Sequence, residues 1–251
     1  MNIRTWVITP FLLQLLFFTS LASAWEAVDI SKPLSIGRAN IQLPAGKWYA
    51  HTPELGKRNL STGLPASPTT SRELVMLDEK TGEHLASAYI SASNSGGYFY
   101  TTWGCSKNTG NYLREEFADE GPHHCLLVTD YIQLVSFFST GKVFEFQKEF
   151  LDKEKVTINT NGYYIQVNAS NGLGTTVQIH LLLKNGFTPV VAAQPAAKVP
   201  SGINQAIAAW ADILYSEAKS SLYSFRGSLR IPSLNFTALV SSEKAIALAQ
   251  P

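Results

Sequence analysis

Apolar and polar residues alternate with period two over long stretches of this chain, a pattern that predicts half-buried strands. Thr175–Lys184 shows it most clearly: Val177, Ile179, Leu181 and Leu183 fall on one side, and Gln178, His180 and Lys184 on the other. Leu74–Asp78 and Leu85–Ser91, separated by Glu79-Lys80-Thr81-Gly82, predict a hairpin. Leu126–Val135 predicts another strand, and Ile36–Leu43 a further one that ends at the turn signal Pro44-Ala45-Gly46, with Lys47–His51 returning. Residues 52–72, rich in Pro, Ser, Thr and Gly, read as an exposed loop. Asn161-Gly162 has the chemistry of a type I′ turn, in which both central residues need positive φ. Closure there sets Thr160 opposite Tyr163, Ile158 opposite Ile165 and Val156 opposite Val167, with the apolar residues on one face. Asn168–Gly174 is read as a turn, and Asn185-Gly186 returns the chain through residues 187–191, where Pro189 restricts the strand to an edge.

Helical spacing is strongest late in the chain. Ile203, Ile207, Trp210, Leu214, Ala218 and Leu222 recur on one stripe, with Ser201 as the predicted cap and Gly227 as the terminator. Val143–Leu151 fits both periods, and Val143, Phe146 and Phe150 favour helix. A short helix is also predicted where Asn111 precedes Leu113, Glu115, Glu116 and Phe117, from the cap, the acidic first turn and the one-turn spacing of Leu113 and Phe117. A short strand at Leu229–Ile231 and a weak helix at Ser242–Leu248 complete the reading. The predicted fold class is α+β: an antiparallel sheet of hairpins and meander, with one long helix in the C-terminal half packed on one face.

Composition adds a compartment. Arg4, the apolar run Val7–Phe18 and Ala22-Ser23-Ala24 before Trp25 have the three-part layout of a secretory signal peptide. Residues 1–24 are read as cleaved and residues 25–251 as a single globular domain, periplasmic or secreted, without integral membrane association after cleavage. Arg4 is the only charged residue in the leader, so the mature chain balances its basic and acidic residues. That neutrality argues against nucleic acid as a partner, because duplex binding usually demands a basic face.

Cys105 and Cys125 both lie in the mature chain, and an even pair in an oxidising compartment is most simply a disulfide. Closing such a loop contributes about 3 kcal/mol in the chain-entropy model. A weaker alternative is a metal site using His123 and His124 with the cysteines, against which stands the absence of any zinc-type spacing.

No motif of a known reaction is present. There is no G-x-S-x-G elbow, no H-E-x-x-H and no C-x-x-C, and Gly172-Leu173-Gly174 leads into a strand, so it lacks the helix of a phosphate loop. No cofactor is implied. Glu115-Glu116, Asp119-Glu120 and Asp78-Glu79 are the candidate carboxylate pairs, while His51, His84 and His180 stand alone. For recognition, Tyr98, Tyr100 and Trp103, with Phe99, supply aromatic faces suited to sugars or flat ligands, and Asn108 nearby supplies hydrogen bonds; alternate members of the run equally suit core packing.

Leu43-Pro44-Ala45-Gly46-Lys47-Trp48, the Cys105 and Cys125 pair, Tyr163-Tyr164-Ile165-Gln166-Val167-Asn168 and the helix around Trp210 together resemble exported bacterial proteins of uncharacterised function. The resemblance implies export and an intact domain, and no reaction. The reading is a non-enzymatic binding or interaction module of the cell envelope, with an envelope protein or glycan as partner. Alternatives are an envelope-polymer hydrolase using carboxylates, and a secretion or assembly accessory factor that pairs through an edge strand at 187–191. Exported protein should begin at Trp25 and weigh two protons less before reduction than after it; intact-mass measurement checks both, and two free thiols would contradict the pairing.

Overall fold

The computed structural model describes residues 25–58, 67–95, 105, 111–117, 123–134, 136, 138, 144–158, 161–171, 174–189, 191, 193–224 and 226–236. The leader at 1–24, the residues Tyr98, Tyr100, Trp103 and Asn108, and the helix expected at 242–248 lie outside them.

In chain order the strands are β1 (Glu26–Ala27), β2 (Leu34–Ile36), β3 (Ala39–Gln42), β4 (Lys47–Ala50), β5 (Glu54–Arg58), β6 (Ser67–Leu77), β7 (His84–Ser93), β8 (Tyr112–Phe117) and β9 (His123–Gln133). Helix α1 (Glu145–Lys153), β10 (Asn161–Ser170), β11 (Thr176–Lys184), helix α2 (Gln205–Tyr223) and β12 (Ser228–Arg230) follow. The described residues form a nine-stranded antiparallel sheet in the order β1-β4-β6-β7-β11-β10-β9-β8, with β5 paired to β6. A small second sheet has the order β12-β3-β2. The chain builds β4, β6 and β7, crosses to the far edge at β8, then meanders back until β11 lies beside β7. Mostly antiparallel strands (β12 pairs with β3 in parallel), the two helices named among the described residues and a disulfide place the fold in the α+β class.

Each strand sends alternate residues to opposite faces, so the sheet has two cores. On the inner face, Leu126, Ile165, Ile179 and Leu181 pack under α2, and Leu74 and Ile90 join the same apolar cluster on the side where the small sheet lies. The helix contributes Ile207, Trp210, Ala211, Leu214 and Ala218, the apolar stripe read in the sequence. On the outer face, Val75, Leu77 and Leu182 pack with Phe150 and Leu151 of α1 and with Leu134, Phe138 and Phe144. Cys105 and Cys125 are joined, their Cα atoms 5.8 Å apart, and Leu127 packs beside them in a third, smaller cluster.

Several expectations need correction. Residues 36–43 are two strands, because Gly37 at φ 54° folds the chain so that Leu34 pairs with Ile41 and Ile36 with Ala39. Part of the loop expected at 52–72 is strand: β5 pairs with the first half of β6, whose Thr69, Thr70 and Ser71 also pair with β7. The helix expected after Asn111 is strand β8, since alternation sets Tyr112, Arg114 and Glu116 on the inner face and Leu113 and Glu115 on the outer. The helix cap expected at Ser201 is Asn204, whose Oδ1 accepts from the backbone N–H of Ala206 (2.9 Å) and Ile207 (3.4 Å). Residues 187–191 form no strand among the described residues; Phe187 makes a single bridge to Phe236, and Val190 lies outside the description.

The Asn161-Gly162 turn is also absent. Lys155, at φ 53°, ends α1 in a left-handed turn, and Val156 and Ile158 pack against the outer core instead of returning as a strand. Asn161 and Gly162 open β10, which pairs with β9 and β11. Glycine is required at 162 by close approach: an added Cβ would lie 2.2 Å from the Leu183 carbonyl oxygen.

Helix α1 has no side-chain cap of its own. Glu73 of β6 serves instead, accepting from the Gln147 N–H at 2.9 Å, while Gln147 Nε2 donates to the Ala88 carbonyl at 2.8 Å. Burial pushes the Glu73 carboxyl up to about 8; Gln147 and Phe146 backbone donors oppose the shift, and Glu54 and Glu145 add to it.

Two outcomes follow from this packing. Gly162→Val should lower stability by at least about 1 kcal/mol by overpacking against the Leu183 carbonyl; an unchanged urea midpoint would show that the space is there. The folded state keeps a proton on Glu73 that the unfolded chain releases from pH 4.5 upward, so this group's stabilising effect is lost as pH rises to about 8. Glu73→Gln should therefore match the parent near pH ~4 and exceed it by about 1–3 kcal/mol near pH ~8. Urea unfolding at both pH values checks this, and identical pH profiles would refute the buried proton.

Candidate functional site

The most concentrated chemistry lies where edge strand β8 meets α2. The alternation of β8 aims Tyr112, Arg114 and Glu116 at the helix. The helix answers with the stripe Ala208, Asp212, Tyr215 and Lys219, spaced at three and four residues. The Asp212 carboxylate receives three hydrogen bonds: from Tyr112 Oη (2.6 Å), from Arg114 Nη1 (2.7 Å) and from the Ala196 backbone N–H (2.7 Å). The Ala197 N–H donates to Tyr112 Oη at 3.2 Å, which ties the chain before α2 to the same group. Arg114 Nη2 also donates to Glu116 Oε1 (3.1 Å), and Lys219 Nζ pairs with Glu116 Oε2. The Tyr215 ring lies under both cations, with Arg114 Cζ 4.7 Å and Lys219 Nζ 5.4 Å from its centroid. His124 of β9 meets the edge of that ring.

These contacts set the protonation states. Burial, reinforced by Asp212, pushes the Tyr112 phenol up to about 12, and burial raises Tyr215 as well. The Lys219 ammonium holds Glu116 below the usual carboxylate range. Burial, then Lys219, lowers His124, which favours the neutral imidazole. Near neutral pH the cluster therefore holds protonated phenols, an ionised Glu116 and a neutral histidine. Such groups suit the binding and orientation of a polar ligand.

A groove of about 340 Å³ opens beside the cluster, between α2 and residues 193–197. Arg114 and Asp212 form its base, Ile213 and Ala209 an apolar wall, and Gln194, Ser216, Glu217 and Ser220 its polar rim. That volume lies at the lower end of small-molecule sites. A second cavity, near Ser93, Thr176 and Ser221, is about 30 Å³ and has room for roughly one water.

The residues singled out from sequence are dispersed. Glu116 joins the cluster, whereas Glu115, next to it on the strand, belongs to the outer face. Asp78 caps the β6–β7 turn, its Oδ1 accepting from the N–H groups of Lys80 (2.9 Å) and Thr81 (2.8 Å); Asp119 and Glu120 lie outside the described residues. His51 stacks on Phe146, His84 Nε2 meets Ser87 Oγ at 2.8 Å, and His180 Nδ1 meets Tyr164 Oη at 2.6 Å. The three histidines therefore do not converge. His123 and His124 are neighbours on β9 and so belong to opposite faces, and Cys125 is held in the disulfide. Among the described residues no group of three or more His, Cys, Asp or Glu side chains is placed to hold a metal ion.

Asp212, Arg114, Tyr112 and Lys219 were not singled out from sequence. The one available signal was Asp212 itself, a charge lying among Ala208, Ala209, Ala211 and Tyr215 on an otherwise apolar flank. Comparison of the chain with protein-family models, with curated proteins and with solved structures found no match.

Arg114→Ala should destabilise the fold by about 3 kcal/mol, because it strips the main charge partner from a carboxylate that is only 10% exposed. Adding Asp212→Ala should restore part of that loss. Urea midpoints of both single variants and the double variant form the cycle, and strictly additive losses would show that the pair is not coupled.

Proposed function

We propose that the chain is an exported binding module of the bacterial cell envelope, with the groove between α2 and residues 193–197 as its recognition site. The observation that carries this reading is the compensated network beneath the groove. Arg114 is shared between Asp212 and Glu116, and Asp212 is filled by three donors. A rigid, hydrogen-bonded floor under a rim of amide, hydroxyl and carboxylate groups suits ligand orientation. The disulfide Cys105–Cys125 supports an oxidising compartment. No helix among the described residues is long and apolar enough to cross a membrane.

One observation favours the hydrolase alternative: Glu116 and Asp212 converge on a single guanidinium beside a groove. A glycoside hydrolase of the usual two-carboxylate kind needs a carboxylic acid kept protonated near neutrality. Glu116 is shifted the opposite way, by Lys219. The carboxyl that is raised, Glu73, lies on the outer face beneath α1.

The test is a titration of the mature protein with solubilised envelope glycan and peptide fragments, followed by NMR and by chromatography of the fragments. Saturable shifts confined to α2 and residues 193–197, without fragment turnover and lost in Ala196→Trp, are expected. Fragment cleavage abolished by Asp212→Asn would replace this reading with the hydrolase.

A further inference from the structure

The rim of the groove carries a charge that has no partner among the described residues. Arg114 is engaged by two carboxylates, Lys219 by Glu116, and Asp212 by three donors. Glu217 lines the same groove, is half-buried, and makes no hydrogen bond or ion pair among the described residues. Of the five charged side chains here, two are cationic and three anionic, and the unmatched charge resides on Glu217. Removing a carboxylate partly from water without a partner is unfavourable, and an incoming cation relieves it.

The rest of the lining limits what that cation is attached to. Ile213, one turn before Glu217, and Ala193, Ala196 and Ala209 offer an apolar wall without hydrogen-bonding side chains. Ser216 Oγ donates to the Asp212 carbonyl (2.9 Å) and keeps its lone pairs for a ligand donor. Gln194 and Ser220 add hydrogen-bonding capacity at the mouth. The volume of about 340 Å³ holds a group of amino-acid size.

We infer that the groove takes a primary ammonium carried on a short methylene stem, with Glu217 pairing the ammonium and the Ile213 wall covering the stem. This rests on the binding reading above and names its ligand class. The same chemistry is offered by a lysine side chain on a peptide and by a free aliphatic diamine. The hydrogen-bonding groups at the mouth favour the peptide-borne form, because they match its amide backbone and a diamine has none.

The test is calorimetric titration of the mature protein at low salt with Nα-acetyl-lysine methylamide, its norleucine analogue and 1,5-diaminopentane. The lysine compound should bind saturably and the norleucine compound at least tenfold more weakly. Glu217→Gln should weaken lysine binding at least tenfold, with Glu217→Asp intermediate. Tighter binding of the diamine than of the lysine amide would assign the site to free amines and overturn the peptide-borne form. Equal affinity for lysine and norleucine compounds, no effect of Glu217→Gln, or no binding of the lysine compound would each overturn the ammonium assignment. If Ala196→Trp still abolishes binding of an uncharged envelope fragment, the groove remains a recognition site and only its ligand class is wrong. If Ala196→Trp leaves every ligand bound as before, the binding reading itself fails.

Discussion

The pairing of β7 with β11 is the contact on which the rest of this fold depends. The strands before β7 and those after β8 are each local in sequence, and would otherwise be two small sheets. The β7–β11 ladder, running from Val177 opposite Ala92 to Leu183 opposite Ala86, makes them one surface. On that surface α2 lies over β9, β10 and β11 and against β12, with Trp210, Leu214 and Tyr215 buried completely or nearly so, while the small sheet lies against β6 and β7. The join is also the costly step, because it brings together segments separated by the whole β8–β10 excursion before any packing is gained.

A wide sheet must cover both faces, and here the two covers differ in kind. The inner face receives a long helix with a continuous apolar stripe. The outer face receives a short helix that cannot cap itself, so Glu73 of the sheet does so and is kept protonated by its own burial. Beyond α1 the outer face is more polar, and there the disulfide anchors Cys105 to the sheet at Cys125. A covalent tie suits a region where the apolar area is too small to hold a chain segment by burial alone.

The charged cluster belongs to the edge of the inner face, where the apolar contact of α2 ends and β8 begins. A buried ion pair of this sort contributes little net stability, since desolvation offsets most of its attraction. Its effect is positional: Asp212 holds Tyr112, Arg114 and the backbone at Ala196 around one carboxylate, and this shapes the neighbouring groove. A recognition surface built in this way owes its geometry to hydrogen-bond direction, which is more exacting than apolar contact.

Much of the architecture was legible in the sequence wherever local periodicity and tertiary demand coincide. The β6–β7 hairpin, β9, β11, both helices and the cysteine pairing all follow from spacing and residue type. The failures share a cause. Asn161-Gly162 offers a good turn, and Asn111 a good cap, but each competes with strand pairing: with Ile132 and Lys184 at Gly162, and with His123–Val128 along residues 112–117. A window of seven residues such as 111–117 has too little local preference to outweigh a ladder of buried backbone hydrogen bonds. The candidate site shows the same limit, since Arg114 and Asp212 lie on opposite sides of the β9–β11 meander and only folding brings them within 2.7 Å. The sequence by itself determined which segments carry an apolar face, because periodicity is written in the order of side chains. Which faces meet, and which charges are thereby stranded together at an edge, was decided by tertiary structure, because those contacts depend on strand order and register, which no local pattern encodes.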